Sequence, residues 1–172
     1  MTERSLTDWQ QLASSLSLPH QAYLGGQFCD AAGGATFTAE NPATGESLVA
    51  VAACQAEDVD RAVTIARDTF NAGTWRDLPP TERKAYLLRW AQLIEQHTDE
   101  IALLETLETG KPISQTTSVD IPGLIGGLRY YAEALDKLYG ETAPNGPSSV
   151  CMIDREPVGV VAAVVPWNYP LI

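Results

Sequence analysis

Apolar residues follow two patterns along the chain, and each pattern predicts a different kind of element. Through the middle of the sequence they recur every three or four positions, as on the buried face of an amphipathic helix. This spacing predicts four helices, over residues 57–70, 81–96, 99–109 and 121–139. Near the end, residues 158–165 carry no polar side chain and are rich in β-branched residues, which is typical of a strand covered on both faces in a parallel sheet. Such a strand combined with several helices indicates the α/β class.

Capping residues mark the ends of the predicted helices. Thr81 is predicted to cap the second helix, and Gly110, with a proline two residues later, is a typical end for the third. Pro122 suits the start of the last helix and Gly140 its end. The apolar side chains of the second helix are expected to be buried: Leu87, Trp90, Ala91 and Ile94.

The residues before the first long helix predict short strands. Gly25-Gly26 supplies the positive φ angles of a two-residue hairpin turn within residues 23–28. Two further strands are predicted over 37–40 and 47–52, joined by the turn-forming cluster 41–45.

Charge and composition exclude several classes of function. The 172 residues are 45% hydrophobic, enough for one domain or for part of a larger one. With 11 basic and 22 acidic residues the net charge is -11, which disfavours binding to nucleic acids and to anionic membranes. Residues 1–18 lack the apolar core of a secretory signal, so a cytoplasmic location is expected. Within them, residues 6–16 fit either a peripheral helix or a poorly ordered terminus.

Cysteine and histidine positions give little support for metal or disulfide chemistry. Cys29, Cys54 and Cys151 are odd in number and lack Cys-x-x-Cys spacing, so we expect small, buried or half-buried apolar residues. His20 and His97 have no neighbour at ligand spacing, and we expect both at the surface.

Two glycine-containing stretches resemble phosphate-binding motifs only superficially. Gly110-Lys111 is followed by a proline where a phosphate loop needs Ser or Thr. Gly123, Gly126 and Gly127 do not have the Gly-x-Gly-x-x-Gly spacing, and a close approach between helices explains them better.

The turn after the apolar run contains the strongest candidate for chemistry. Pro166 ends the predicted strand, and Trp167 and Asn168 follow at its carboxyl end, where open α/β sheets bind ligands. Trp167 is either a packing aromatic or part of a site. Asn168 has two interpretations of about equal weight, an amide donor to a developing oxyanion or a local turn cap.

Three sets of residues carry a resemblance to a known family: Glu156-Pro157-Val158-Gly159-Val160 with Pro166-Trp167-Asn168-Tyr169-Pro170, Asn41-Pro42-Ala43-Thr44-Gly45-Glu46, and Leu107-Glu108-Thr109-Gly110-Lys111-Pro112. From about Tyr23 onward the chain resembles the amino-terminal part of the NAD(P)-dependent aldehyde dehydrogenase superfamily. Through residues 120–122, 129–134 and 136–137 it looks most similar to bacterial enzymes that oxidise γ-glutamyl-aminobutyraldehyde and related amino-aldehydes.

The resemblance implies the amino-terminal part of a Rossmann-like fold whose sheet is incomplete in this chain. Residues 1–139 would form the helical and β-hairpin part of the NAD(P)-binding domain. Residues 140–157 would form an oligomerisation arm, and residues 158–172 a truncated first central strand of the dinucleotide-binding sheet.

The resemblance also implies a reaction and its residues. In this family a cysteine thiolate attacks the aldehyde and a hydride passes to NAD(P), so NAD or NADP is expected, with NAD favoured. Asn168 matches the oxyanion donor. The residues that match the lining of the cofactor site are Val164, Val165, Pro166, Trp167 and Asn168. The matching nucleophile and base lie beyond this chain, and Cys151 is not the nucleophile.

Partners and an ion site complete these expectations. A small aldehyde, with an amino-aldehyde as one candidate, is the implied substrate, and the full enzyme is expected to be a homodimer or homotetramer. Some members hold a monovalent cation, which would here be bound by the carbonyls of Ala39 and Glu40 and by Glu108, where the family usually has Asp. The alternative function is a non-catalytic association module that acts through residues 140–156.

Overall fold

The structure, a computed structural model, describes residues 4–172. Residues 1–3 of the predicted first domain lie outside this range. The helices are α1 Leu6–Ser15, α2 Ala56–Ala72, α3 Pro80–Gln96, α4 Thr98–Thr109, α5 Ile113–Gln115 and α6 Ile121–Ala134. A π-helical turn, Thr116–Asp120, joins α5 to α6, and a 3₁₀ turn, Leu135–Lys137, follows α6. The strands are β1 Ala22–Leu24, β2 Gln27–Cys29, β3 Thr36–Glu40, β4 Ser47–Ala52, β5 Glu141–Ala143 and β6 Cys151–Ile153.

The strands form three separate antiparallel hairpins. In the first, Gly25 and Gly26 have φ angles of 60° and 83°, so the predicted two-residue turn is confirmed. The second hairpin pairs β3 with β4 and has an irregular register between Ala39 and Glu40. The third pairs β5 with β6 in the segment expected to form the arm.

The core lies where α3, α4 and α6 pack together. Its buried members are Ala91, Ile94, Ala102, Ile121 and Ile125. Leu171, next to the last residue, packs against this cluster and so ties the end of the chain to the helices. Among residues 4–172, no helix is both long and apolar enough to cross a membrane.

Helix α3 differs from its prediction in two respects. The helix begins at Pro80 after Pro79, so Thr81 is not its cap. Proline at the first helical position needs no partner for a backbone N–H, which makes a side-chain cap less necessary. Trp90 is 55% exposed and Leu87 only half-buried, whereas Ala91 and Ile94 are buried as predicted.

The last predicted helix is divided into several pieces. Helix α6 ends at Ala134 rather than at residue 139, and Tyr139 and Gly140 are exposed beyond it. Lys137 lies in the 3₁₀ turn that follows, and its Nζ donates to the carbonyl of Glu133 in the last turn of α6 at 2.6 Å. The turns before α6 were not predicted, because residues 113–119 show no helical apolar stripe.

Residues 158–165 pair with no strand among the described residues. A parallel strand is defined by hydrogen bonds to its neighbours, and β1 to β6 are all used in their own hairpins. Most of the segment is instead exposed, with Val164 99% exposed, and only Gly159 and Val160 are half-buried. The predicted strand covered on both faces is therefore not formed within the described residues, because the segment has no neighbouring strand there.

Candidate functional site

The candidate residues form one continuous, exposed stretch that leads into a turn. Val164, Val165 and Pro166 are exposed, and Trp167 and Asn168 begin the turn that follows. Trp167 is 89% exposed, so among the described residues it is not a packing aromatic. The amide of Asn168 is also exposed and takes part in no side-chain hydrogen bond within residues 4–172. In this structure the amide therefore does not cap its own turn.

The chain after Asn168 is anchored to the helical core at three points. Leu171 packs against the core cluster. Ile172 lies beside Gly123 in α6, where a Cβ atom on the glycine would be 3.2 Å from the isoleucine Cδ1. Tyr169 contacts Lys111, whose Nζ lies 3.9 Å from the centre of the tyrosine ring. The turn is thus held from its carboxyl side.

Lys111 belongs to a buried cluster of charges that was not predicted from the sequence. Its Nζ lies 2.5 Å from Asp120 Oδ2 and 3.4 Å from Glu105 Oε1. The side chain of Asp120 is 0% exposed and that of Glu105 is 2% exposed, while Lys111 is 15% exposed. We call Lys111, Glu105, Asp120 and Tyr169 the Lys111 cluster.

Burial and ion pairing have opposite effects on the pKa of each group in the cluster, and the pKa values of Glu105 and Lys111 are both raised. Removal from water raises the pKa of the Glu105 carboxyl, and Lys111 only partly offsets this effect. Burial by itself lowers the pKa of Lys111, but the hydrogen bond and charge of Asp120, with help from Glu105, raise it above its ordinary value. Lys111 therefore stays protonated. Asp120 Oδ1 has no hydrogen-bond partner among the described residues.

Local sequence explains how the cluster is assembled. Glu105 lies on the buried face of α4, which ends at Gly110 in the left-handed conformation with φ of 76°. This glycine reverses the chain, so that Lys111 extends back along the helix it has just left. The π-helical turn then ends at Asp120. A signal was present in the sequence, because Glu105 lies among leucines, on a face where a charge needs a partner.

The expected cation site has a compatible set of donors. The irregular register between Ala39 and Glu40 disturbs the regular ladder at these two residues. Glu108 is exposed near the end of α4, and Gly110 lies against Pro42 just after β3. Two carbonyls and a carboxylate are oxygen ligands suited to a hard cation. Within residues 4–172 no three His, Cys, Asp or Glu side chains group as metal ligands. Two of the three ligands expected here are backbone carbonyls, which that observation does not cover, so the cation site stays a prediction.

Other candidates from the sequence lie apart from the turn. His20 and His97 are exposed, as predicted. Cys29 is half-buried as expected, but the expectation is wrong for Cys54 and Cys151, which are exposed because they lie on a loop and on the open hairpin strand β6.

The glycines of α6 were also misinterpreted in part. At Gly126 and Gly127 a Cβ atom would lie within 4 Å of no described atom apart from their chain neighbours and the backbone of α6, so no close helix approach explains them here. Gly123 is closely approached, but by the side chain of Ile172 rather than by a helix.

Comparison with known proteins identifies the family to which this chain belongs. The model of the aldehyde dehydrogenase family matches residues 28–172. Aminoacetaldehyde dehydrogenase from Pseudomonas aeruginosa is 50% identical over 100% of this chain, which spans 35% of that protein.

Two solved structures show the same fold. The γ-glutamyl-γ-aminobutyraldehyde dehydrogenase of Burkholderia cenocepacia is 50% identical, with a TM-score of 0.95 over 98% of this chain and 34% of that one. An indole-3-acetaldehyde dehydrogenase in complex with NAD+ is 47% identical, with the same TM-score and the same coverages. The chain thus spans about a third of the length of the relatives it matches. The 172 residues belong to the aldehyde dehydrogenase family and correspond to the amino-terminal part of its fold.

Proposed function

We propose that this chain is the amino-terminal third of an NAD(P)-dependent aldehyde dehydrogenase, which oxidises an aldehyde to a carboxylic acid. The observation that carries the proposal is the position of Asn168, whose amide is exposed on a turn anchored by Tyr169 and Leu171 in a chain of this family. An amide N–H in this place is suited to donate to an oxygen that becomes negatively charged.

The proposed contribution of Asn168 belongs to the transition state. Attack by a thiolate sulfur forms a bond to the aldehyde carbon and moves an electron pair onto the carbonyl oxygen. A donor already aimed at that oxygen stabilises it more than it stabilises the neutral aldehyde. The attacking cysteine and the base that activates water would be supplied by the remaining two thirds of the enzyme.

The stretch from Val164 to Asn168 is the proposed contribution of this chain to the cofactor site. Its residues are exposed and belong to no strand among the described residues, and its last two begin the turn, so its carbonyls are accessible to a ligand. When bound, NAD(P) supplies a hydride acceptor. NAD is favoured because a related structure contains NAD+.

The proposed substrate is a small aldehyde that carries an amino group. Support comes from the two relatives at 50% identity, which are an aminoacetaldehyde dehydrogenase and a γ-glutamyl-γ-aminobutyraldehyde dehydrogenase. The net charge of -11 favours approach of a cationic substrate over an anionic one.

The assembly is proposed to be a homodimer or homotetramer that uses the hairpin of β5 and β6. Both strands are exposed at most positions, including Met152, and Arg155 pairs with Glu141 at 2.5 Å across the base of the hairpin. A two-stranded ribbon with exposed apolar side chains is suited to extend a neighbouring sheet. The cytoplasm is the proposed compartment, on the sequence argument alone.

The test replaces Asn168 in a full-length enzyme, which here means residues 1–172 followed by the remaining two thirds of a relative such as the P. aeruginosa enzyme. Asn168→Ala should lower kcat by roughly 10²–10³, about 2.7–4 kcal/mol, because one oxyanion donor is lost. Binding of NAD should change little, since the contacts expected here are mainly with the backbone.

The matched control is Asn71→Ala, which removes an exposed asparagine from α2. Steady-state kinetics and NAD titration of both variants give the answer. If Asn168→Ala keeps kcat within about twofold while NAD affinity collapses, Asn168 serves the cofactor or the turn and the proposal is wrong.

A further inference from the structure

We infer that Lys111 is a positioning residue for Asn168 and acts through the ring of Tyr169. The inference rests on the proposed function, because it requires Asn168 to be the oxyanion donor. Its basis is a chain of contacts that begins in the buried charges of the Lys111 cluster and ends at the residue next to Asn168.

The ammonium of Lys111 is held in one place by groups that cannot easily move. Asp120 Oδ2 accepts from Nζ at 2.5 Å and Glu105 Oε1 accepts at 3.4 Å. Both carboxylates are buried on elements of the helical core, at the end of the π-helical turn and on α4. Moving the ammonium away would leave two buried carboxylates without their cation, which is strongly unfavourable.

The π-helical turn that carries Asp120 is itself fixed by buried hydrogen bonds. Thr116 is fully buried, and its hydroxyl contacts that of Thr106 in α4 at 3.0 Å and the carbonyl of Ile113 at 3.1 Å. Turns of this kind are rare and often occur at functional sites. Here the turn places a carboxylate directly beside the ammonium of Lys111.

Tyr169 connects this fixed cation to the turn that carries Asn168. Its ring centre is 3.9 Å from Nζ, well inside the range of a cation–π contact, and such contacts strengthen when the cation is shielded from water. Leu171 and Ile172 also anchor the chain, but by apolar contacts, which do not set a direction. Tyr169 is adjacent to Asn168, so the direction of its ring limits the orientation of the turn. An oxyanion donor is effective only when it is aimed closely.

The first test is Lys111→Met in the full-length enzyme, which keeps the length of the side chain and removes the charge. We expect kcat to fall by about tenfold to hundredfold, the range for a misplaced catalytic group, with NAD affinity within about twofold. The matched control is Lys84→Met, because Lys84 also pairs with two carboxylates, Glu133 and Asp136, but lies on α3. Its kcat should stay within about twofold of the wild type.

A double variant separates positioning from a general loss of structure. If Lys111 acts through Asn168, then Lys111→Met should cause little further loss of kcat in the Asn168→Ala enzyme. Losses that multiply would overturn the inference, as would a Lys111→Met enzyme that melts at a lower temperature but retains its kcat.

Tyr169 provides an independent test if Lys111→Met does not fold. Tyr169→Phe keeps the ring and should retain kcat, whereas Tyr169→Leu should lose it to a similar extent as Lys111→Met. Equal kcat in the two tyrosine variants would overturn the inference. If Asn168→Ala alone leaves kcat unchanged, the proposed function fails instead, so the two failures are distinguishable.

Discussion

Asp120 is a fully buried carboxylate whose hydrogen-bonded partner is the ammonium of Lys111. Removing one member of a buried pair leaves the other charge uncompensated, which costs about 3–5 kcal/mol. We expect Asp120→Ala to lower the free energy of unfolding by about 3 kcal/mol, the lower end of this range, because Lys111 keeps some contact with water and with Glu105. Urea unfolding monitored by circular dichroism measures the change.

Asp77→Ala is the matched control for Asp120→Ala. Asp77 also pairs with a cation, Arg76, at 2.7 Å, but the Asp77 side chain is 63% exposed, whereas that of Asp120 is fully buried. Exposed pairs contribute little, so this variant should unfold close to the wild type. Equal losses from the two substitutions would mean that burial of the Lys111 cluster does not contribute to stability as argued.

Glu105 makes the stability depend on pH with an unusual sign. Because burial raises its pKa above the ordinary value of 4.5, the folded protein binds this proton more tightly than the unfolded chain does. The contribution is complete below about pH 4.5 and is lost as the pH rises through the raised pKa. Glu105→Gln removes this dependence, so the stability of the variant relative to the wild type should increase with pH from acidic to neutral conditions.

Unfolding free energies of the two proteins across this pH range test the prediction. Glu82→Gln, at an exposed site in the first turn of α3, controls for the substitution itself. A Glu105→Gln protein whose advantage shrinks as the pH rises would contradict the argument.

Single residues were the hardest level to predict from the sequence. The position of Asn168 after an apolar run and a proline made it a candidate with two interpretations, and only the family resemblance favoured the oxyanion donor. Lys111 and Asp120 were not identified, because their pairing depends on how a glycine-ended helix and a π-helical turn meet in space. Trp90 was assigned to the wrong face, since the stripe of α3 is broad and large aromatics tolerate partial exposure.

Two glycines in helical regions should respond in opposite ways to substitution by alanine. Gly110 has a positive φ of 76°, and an added Cβ would lie 3.1 Å from Pro42 Cγ. Gly110→Ala should therefore lower the free energy of unfolding by about 1–2 kcal/mol. Gly126 lies in the interior of α6, and an added Cβ would lie within 4 Å of no described atom apart from its chain neighbours and the backbone of α6. Gly126→Ala should raise it by about 0.5–1 kcal/mol, because alanine loses less backbone entropy.

Denaturant unfolding of both variants beside the wild type measures these effects. Each variant serves as the control for the other, because the chemical change is the same at both sites. A loss of stability in Gly126→Ala would contradict the prediction.

Elements with local signals were predicted well, and elements defined by distant contacts were not. The turn at Gly25-Gly26 and the end of α4 at Gly110 follow from residues that prefer positive φ angles, so the sequence was sufficient. The π-helical turn has no such signal, because its threonines are stabilised by hydrogen bonds to Thr106 and Ile113 that only the folded chain provides.

At the scale of the whole molecule, the helices bury their apolar side chains against one another, whereas the apolar run at residues 158–165 is mostly exposed. The helices α3, α4 and α6 share a core, whereas residues 158–165 extend from it without a partner strand among the described residues. The apolar composition of the run predicted a strand with two covered faces, whereas in this structure the run lies in no strand and is mostly exposed. The fold class was therefore predictable, but the environment of the run was not.

The exposed apolar run at residues 158–165 should make the isolated 172-residue chain associate with itself. Val158, Val161, Val164 and Trp167 are all at least 70% exposed, and the unpaired backbone between them is free to pair with another strand. Light scattering should therefore give a mass above 18.6 kDa that rises with concentration, together with binding of a dye that reports apolar surface.

Placing lysines at Val161 and Val164 should restore a monomer, because charges on an edge oppose strand pairing. The same change at Val59 and Val63, which are exposed on α2, should not. A wild-type chain that stays monomeric at every concentration would show that the run is not adhesive, and rescue by the α2 pair would show that net charge alone controls association.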